Sequence, residues 1–199
     1  MNRKAFLARL EARLADAAPP ATAHPPAPAP DAVPRVRFPP DERALEVRFG
    51  EALTAIRGRL VPLDELLSAL AQVRTAVVTT DALALPDHIE RLPLDQAERA
   101  DAGVTLARAA CAATGTVLLA PSERETRLAS LLPPLHVVAV PRDVLVETPG
   151  DVLRDLPRFF PDGLPSAFSL ASGPSKSADI DAVVTYGVHG PLAVLAVIL

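Results

Sequence analysis

Apolar residues are distributed along this chain in two ways. In residues 3–17, Phe6, Leu7, Leu10 and Leu14 recur at helical spacing, while Arg9, Glu11 and Arg13 lie off that stripe. The spacing predicts an amphipathic helix. Further on, short unbroken apolar runs read as buried strands: residues 75–80 (TAVVTT), 115–120 (GTVLLA), 135–140 (LHVVAV), 167–172 (AFSLAS) and 192–199 (LAVLAVIL). Between them the pattern predicts helices over residues 41–60, 62–73, 104–113, 150–160 and 177–187. In the first of these Ala44, Leu45, Phe49, Leu53 and Ile56 share one side. In the second Pro62 opens the helix, and Asp64 and Glu65 suit its positive end. Continuous rather than alternating apolar strands suit a sheet covered on both faces. Their alternation with helices predicts an α/β fold, a layered sheet with helices on both faces. No internal repeat is visible.

Residues 18–40 break this pattern. They are dominated by proline and alanine, and proline removes backbone donors and fixes φ. The expectation is a stiff, extended linker between the helix in residues 1–17 and an α/β domain spanning residues 41–199. Two readings stay open for the first helix: packing on its own domain, or docking to a partner chain.

Composition narrows the class. With 49% hydrophobic residues in 199, the chain can bury a sizeable core. The net charge of −4 comes without a basic stripe interleaved with aromatics, so no nucleic-acid partner is expected. The single cysteine, Cys111, excludes a disulfide framework within the chain, a cysteine-ligated iron–sulfur cluster and a cysteine-rich zinc site. It reads as a buried small hydrophobe, with a reactive thiol as the alternative. No HExxH pattern or dense Asp/Glu/His cluster suggests a metal. The longest apolar run, residues 191–199, is too short to span a bilayer, and no secretory signal is visible, so a cytoplasmic protein is expected.

Candidate chemistry concentrates in residues 172–191, SGPSKSADIDAVVTYGVHGP. Read as strand, glycine turn and helix, this stretch places Gly173 in the turn, with Pro174, Ser175, Lys176 and Ser177 at the helix start. Free backbone N–H groups and the helix dipole would favour a phosphate or carboxylate there. The alternative is that Ser175 and Ser177 only cap the helix and Lys176 is solvated. It is not a Walker A loop. Thr114, Gly115 and Thr116 lie between a predicted helix and strand, as a helix stop or as a second lining of the same pocket. Gly187 reads as a helix stop. His189 sits between residues that favour turns, beside Gly190, and His136 stands at a strand entrance; both read more readily as structural than catalytic. No nucleophile, base and orienter set is evident, so the catalytic residues are unassigned.

The stretch at residues 172–191, with ATGTVLLAPSERETRLASLLPPLHVVAV before it, closely resembles the paired signatures of the LUD-domain family, covering about residues 101–199 in the expected order and spacing. The resemblance implies a fold akin to sugar-phosphate isomerases and CoA transferases (the NagB/RpiA/CoA-transferase class). It implies a role in oxidising L-lactate to pyruvate beside iron–sulfur partner proteins. This chain would then be a non-redox subunit or accessory protein with no cofactor of its own. The alternative is a stand-alone binding protein or enzyme for a phosphate- or carboxylate-bearing metabolite. The sequence departs from the family pattern at Ala113, where a Glu is usual, and at Lys176, Ser177 and Asp181, where Arg, Thr and Glu are usual. Lys176 keeps the charge but loses the bidentate fork.

Overall fold

The computed structural model describes residues 3–15, 38–120, 127–178 and 184–199. The chain divides into two units, Met1–Arg37 and Phe38–Leu199. In the first, the described part is helix α1 (Arg3–Ala15), on which Phe6 and Leu7 stay 50 and 42% exposed. Most of the expected linker, residues 18–37, lies outside the described residues.

The second unit is built on a six-stranded sheet of β1 (Arg59–Leu60), β2 (Thr75–Val78), β3 (Glu90–Leu92), β4 (Ala102–Leu106), β7 (Leu135–Val140) and β12 (Ala193–Ile198). Its order is β1-β12-β7-β4-β2-β3, and every pairing is parallel. Strands buried on both faces explain the unbroken apolar runs. One face carries Ala102, Val104, Val137, Ala139, Leu195 and Val197 into a core with Leu66, Leu70, Leu83 and Ile89. The other carries Val138, Val140, Val194 and Ala196 against Phe49 and Leu53 of α2 (Leu45–Ala55) and against Ala110, Val117 and Leu119.

Those last three residues belong to a second sheet. It comprises β5 (Ala109–Cys111), β6 (Thr116–Leu119), β8 (Leu145–Val146) and β9 (Ser169–Ser172), in the order β8-β5-β6-β9. The layered α/β expectation holds, and a second sheet joins the helices in covering one face. Strands β10 (Lys176–Ala178) and β11 (Val184–Tyr186) form a separate antiparallel pair.

The structure corrects several expected helices. Residues 104–113 are not helical: β4 ends at Leu106 and β5 begins at Ala109. Alanine favours helix locally, but here Ala109, Ala110 and Cys111 are small enough to be wholly buried in a sheet, and tertiary packing overrides the propensity. The described residues of the expected helix at 177–187 are not helical either. Lys176, Ser177 and Ala178 pair with Tyr186, Thr185 and Val184, and residues 179–183 lie outside the described residues. The Val-Thr-Tyr run carries the β preference that wins. The helix at 62–73 shrinks to a 3-10 turn and α3 (Leu66–Ala69). That at 150–160 splits into α5 (Pro149–Arg154) and α6 (Leu156–Phe159) around Asp155, with Pro157 in the first turn of α6. Helix α5 opens on a capping box: Asp151 N–H donates to Thr148 Oγ1 at 3.3 Å, and Thr148 N–H to Asp151 Oδ2 at 3.0 Å.

Candidate functional site

Register on the second face of the main sheet brings Val77, Gly103, His136 and Val194 into one cross-strand row. Gly103 is there for a steric reason. A Cβ at this position would sit 1.7 Å from the carbonyl oxygen of Ala129, so only glycine lets helix α4 (Arg127–Leu131) lie directly on the sheet. Beside it, two residues along β4, Thr105 shares the same face. Its Oγ1 is 2.8 Å from His136 Nε2.

This pair forms part of the lining of a cavity of ≈ 280 Å³. Helix α4 contributes Arg127, Ser130 and Leu131; the second sheet contributes Leu119, Ser169 and Ala171, with Ala120 just beyond β6. The remaining wall is Gly173, Ser175 and Lys176 on one segment and His189, Gly190 and Pro191 on another. Ser175 fastens these two segments together. Its N–H donates to the Pro191 carbonyl at 2.9 Å, its own carbonyl accepts from Gly187 N–H at 2.9 Å, and its Oγ accepts from His189 N–H at 3.3 Å. Gly190 allows the close approach, since a Cβ there would lie 3.1 Å from Ser175 Cβ.

The electrostatics favour an anion. Arg127 and Lys176 line the cavity, and no Asp or Glu is among its described lining residues. His136, 2% exposed, has its pKa pushed down to about 4 by burial, so it is neutral at pH 7. It offers polarity and a hydrogen bond without adding charge.

Five of the residues singled out from sequence meet here: Gly173, Ser175, Lys176, His189 and Gly190. The reason given for them changes. Lys176 begins a strand, so no helix start supplies backbone donors, and Ser175 and Ser177 are not helix caps. Gly187, with φ +76°, follows a strand rather than ending a helix. Pro174 is buried and Ser177 is exposed on β10; neither lines the cavity. Thr114, Gly115 and Thr116 lie apart from it, the first two in the turn of the β5–β6 hairpin and Thr116 opening β6, rather than after a helix. There Thr114 Oγ1 is 2.7 Å from Thr116 Oγ1, which is 2.7 Å from Ser172 Oγ. Gly115, at φ +63°, underlies α2: a Cβ would meet Leu53 N at 2.5 Å. Cys111 is buried and accepts from the Thr114 hydroxyl at 3.2 Å. Ala113 lines a different cleft, of ≈ 420 Å³, with Asp41, Arg43, Arg48 and Glu51.

Sequence reasoning missed Thr105, Arg127 and Ser130, and read His136, at a strand entrance, as structural. A signal was present for two of them: a Thr and a His inside otherwise apolar buried strands.

The LUD domain family model matches residues 65–199, including the whole of this cavity's described lining. The chain belongs to the LUD domain family. Among its relatives is "Lactate utilization protein C" of Halalkalibacterium halodurans, 37% identical over 121 residues, which are 59% of this chain and 53% of that protein. The protein of the same name from an Exiguobacterium species is 34% identical over 138 residues, 68% of this chain and 58% of that one. "Uncharacterized protein NMB1437" of Neisseria meningitidis is 30% identical over 145 residues, 72% and 62% of the respective chains. This LUD domain chain thus spans about half the length of the first of these relatives. The fold is also that of a crystal structure of a DUF162 family protein from Deinococcus radiodurans, with a TM-score of 0.54 at 21% identity, covering 77% of this chain and 95% of that one. Among the described residues, no helix is long and apolar enough to cross a membrane.

Proposed function

We propose that this chain is a non-redox subunit or accessory protein of an L-lactate oxidation system, acting in the cytoplasm with iron–sulfur partner proteins. Its cavity would hold a small carboxylate- or phosphate-bearing molecule. The observation that carries the ligand class is the cavity itself: Arg127 and Lys176 with no carboxylate among the described lining residues. The system is suggested by the relatives named for lactate utilisation. The division of labour follows from chemistry, because one buried cysteine cannot ligate a cluster that needs several thiolates.

The test is L-lactate consumption by the source cells with and without this gene, its neighbours intact. Loss of consumption, restored by the wild-type chain but not by Lys176→Ala, is the expected result. Unchanged consumption would sink the proposal.

The second reading, a stand-alone metabolite-binding protein or enzyme, rests on the cationic cavity with the buried Thr105–His136 pair in its wall. It expects the purified chain to gain thermal stability from a sugar phosphate, a CoA ester, phosphate or lactate. Ligand at 100 times its dissociation constant should add about 2.7 kcal/mol. No gain from any of the four refutes that reading.

A further inference from the structure

At the carboxyl ends of β4 and β7 lies another cleft, of ≈ 240 Å³, sharing no lining residue with the cavity described above. In parallel α/β sheets this is where ligands collect, because loops leave the sheet there and open a crevice. Here the crevice is lined by Arg108, Pro141, Asp143, Val144, Arg158 and Phe159, among others.

Arg108 sits in the short link between β4 and β5. Ala107 N–H donates to Ala139 O at 2.8 Å and Arg108 N–H to Leu118 O at 2.9 Å, so the link is pinned to both sheets. Arg108 Nε is buried and has no hydrogen-bond partner among the described residues. Buried polar groups are nearly always satisfied, so this one donor of the half-buried Arg108 lacks the partner its burial calls for. Arg158 comes from the opposite wall. Its Nη2 donates to the Asp143 carbonyl at 2.6 Å, and its guanidinium lies 5.6 Å from the centroid of the Phe159 ring. Five donors on each guanidinium leave several free for a ligand. The Asp143 carboxylate is the one acidic group in the described lining, so two cations face one anion.

We infer that this cleft binds a small oxyanion, a carboxylate or a phosphate, held by Arg108 and Arg158. The missing partner of Arg108 is then the ligand's oxygen. This does not rest on the lactate reading, and it fails or stands separately from it.

The test is a titration of the full ¹⁵N-labelled chain with inorganic phosphate, and in parallel with acetate, followed at the arginine Nε–H resonances. The Arg108 signal is identified by its loss in Arg108→Lys. A saturable shift of that signal in the millimolar range is expected, with phosphate or acetate distinguished by which saturates at lower concentration. Arg158→Gln, a change at an exposed side chain, should weaken binding roughly tenfold, the worth of one charge-assisted contact. Lys176→Ala should leave the midpoint unchanged. Absence of a saturable shift with either anion, an unchanged midpoint in Arg158→Gln, or equal weakening by Lys176→Ala would each overturn the inference. If Arg108→Lys does not fold, the arginine Nε–H resonance that shifts saturably in the wild type still decides it: its midpoint should rise in Arg158→Gln and stay in Lys176→Ala, and any other pattern overturns the inference.

Discussion

Burial of His136 should make stability depend on pH between 5 and 7. The ring is 2% exposed, lies 2.8 Å from Thr105 Oγ1, and shares a cavity with Arg127, Lys176 and His189. Burial holds its pKa near 4, against an ordinary value of 6.5. A depressed histidine binds its proton in the unfolded chain first. As pH falls below 6.5, the unfolded state gains a proton that the folded state refuses, and stability is lost until pH reaches the folded value. Linkage puts the loss between pH 7 and pH 5 at about 2 kcal/mol. The carboxylates held low do not intrude on this window. Asp41, hydrogen-bonded to the Arg43 side chain, is held near 2, while the Arg74 N–H lowers Asp101 and the Thr148 hydroxyl lowers Asp151. Their contribution is lost only below the ordinary carboxylate range. The assay is urea unfolding followed by circular dichroism at both pH values, for the wild type and His136→Gln. Glutamine keeps an amide where Nε2 meets Thr105 but cannot titrate. The wild type should lose about 2 kcal/mol more than the variant. Equal losses, within about 0.5 kcal/mol, would refute the assignment of a buried neutral histidine. An anion bound in the cavity should raise the pKa of His136 and shrink the difference.

Gly103→Ala should cost about 3 kcal/mol or more in denaturant unfolding, because the backbone oxygen of Ala129, 1.7 Å from the new Cβ, cannot yield without lifting α4. Any ligand-induced thermal shift should vanish with it, since Arg127 and Ser130 ride on that helix. Gly115→Ala and Gly163→Ala form a matched pair with φ +63° and φ +109°. The backbone costs each about 1–3 kcal/mol, more at Gly163 than at Gly115, because its φ lies further from the left-handed minimum. Only Gly115→Ala also meets α2, at Leu53 N, so it should be clearly the less stable of the two by melting temperature. Lys176→Ala, at an exposed side chain, should leave the melting temperature of the free protein unchanged while abolishing the shift given by a carboxylate or phosphate ligand.

The strands at residues 75–78, 116–119, 135–140 and 193–198 were legible because burial on both faces leaves an unbroken apolar run, whereas 169–172 is a largely exposed strand of small residues and one leucine. Residues 104–113 were not. Their alanines favour helix in isolation, and only the neighbouring strands and α2, far along the chain, make a sheet of them. At the described ends of residues 177–187 the reason is the opposite: Val184, Thr185 and Tyr186 favour strand, against the helix that a glycine turn after a strand suggests. At the site, glycines and hydroxyls near a lysine drew notice. The pairing of Thr105 with His136 did not, because it depends on the register of two strands whose contacting residues are 31 apart. Nor does the sequence disclose that Gly103 seats α4.

The two glycine motifs that carry the resemblance noted in the sequence play different parts in the structure. Gly115 and Gly173 both take positive φ, and both lie against the carboxyl-terminal half of α2, where added Cβ atoms would meet Leu53 N and Ile56 O at 2.5 Å. Hydroxyls of Thr114, Thr116 and Ser172 run between them as a chain of hydrogen bonds. The first motif therefore builds the platform on which α2 rests. The second begins on that platform and continues, through Ser175 and Lys176, into the cavity wall. Similarity at the first motif speaks for the fold, and similarity at the second speaks for the ligand. The same separation bears on Ala113. A carboxylate at that position would face the cleft of Asp41, Arg43 and Arg48, where Arg48 is already engaged by the Asp41 carbonyl and by Glu147. Its replacement by alanine leaves the charge of the cationic cavity untouched. The substitution at Lys176 matters more, because it falls on the wall itself: a point charge suffices to attract an anion, whereas orienting one falls to Arg127, Ser130 and the Thr105–His136 pair.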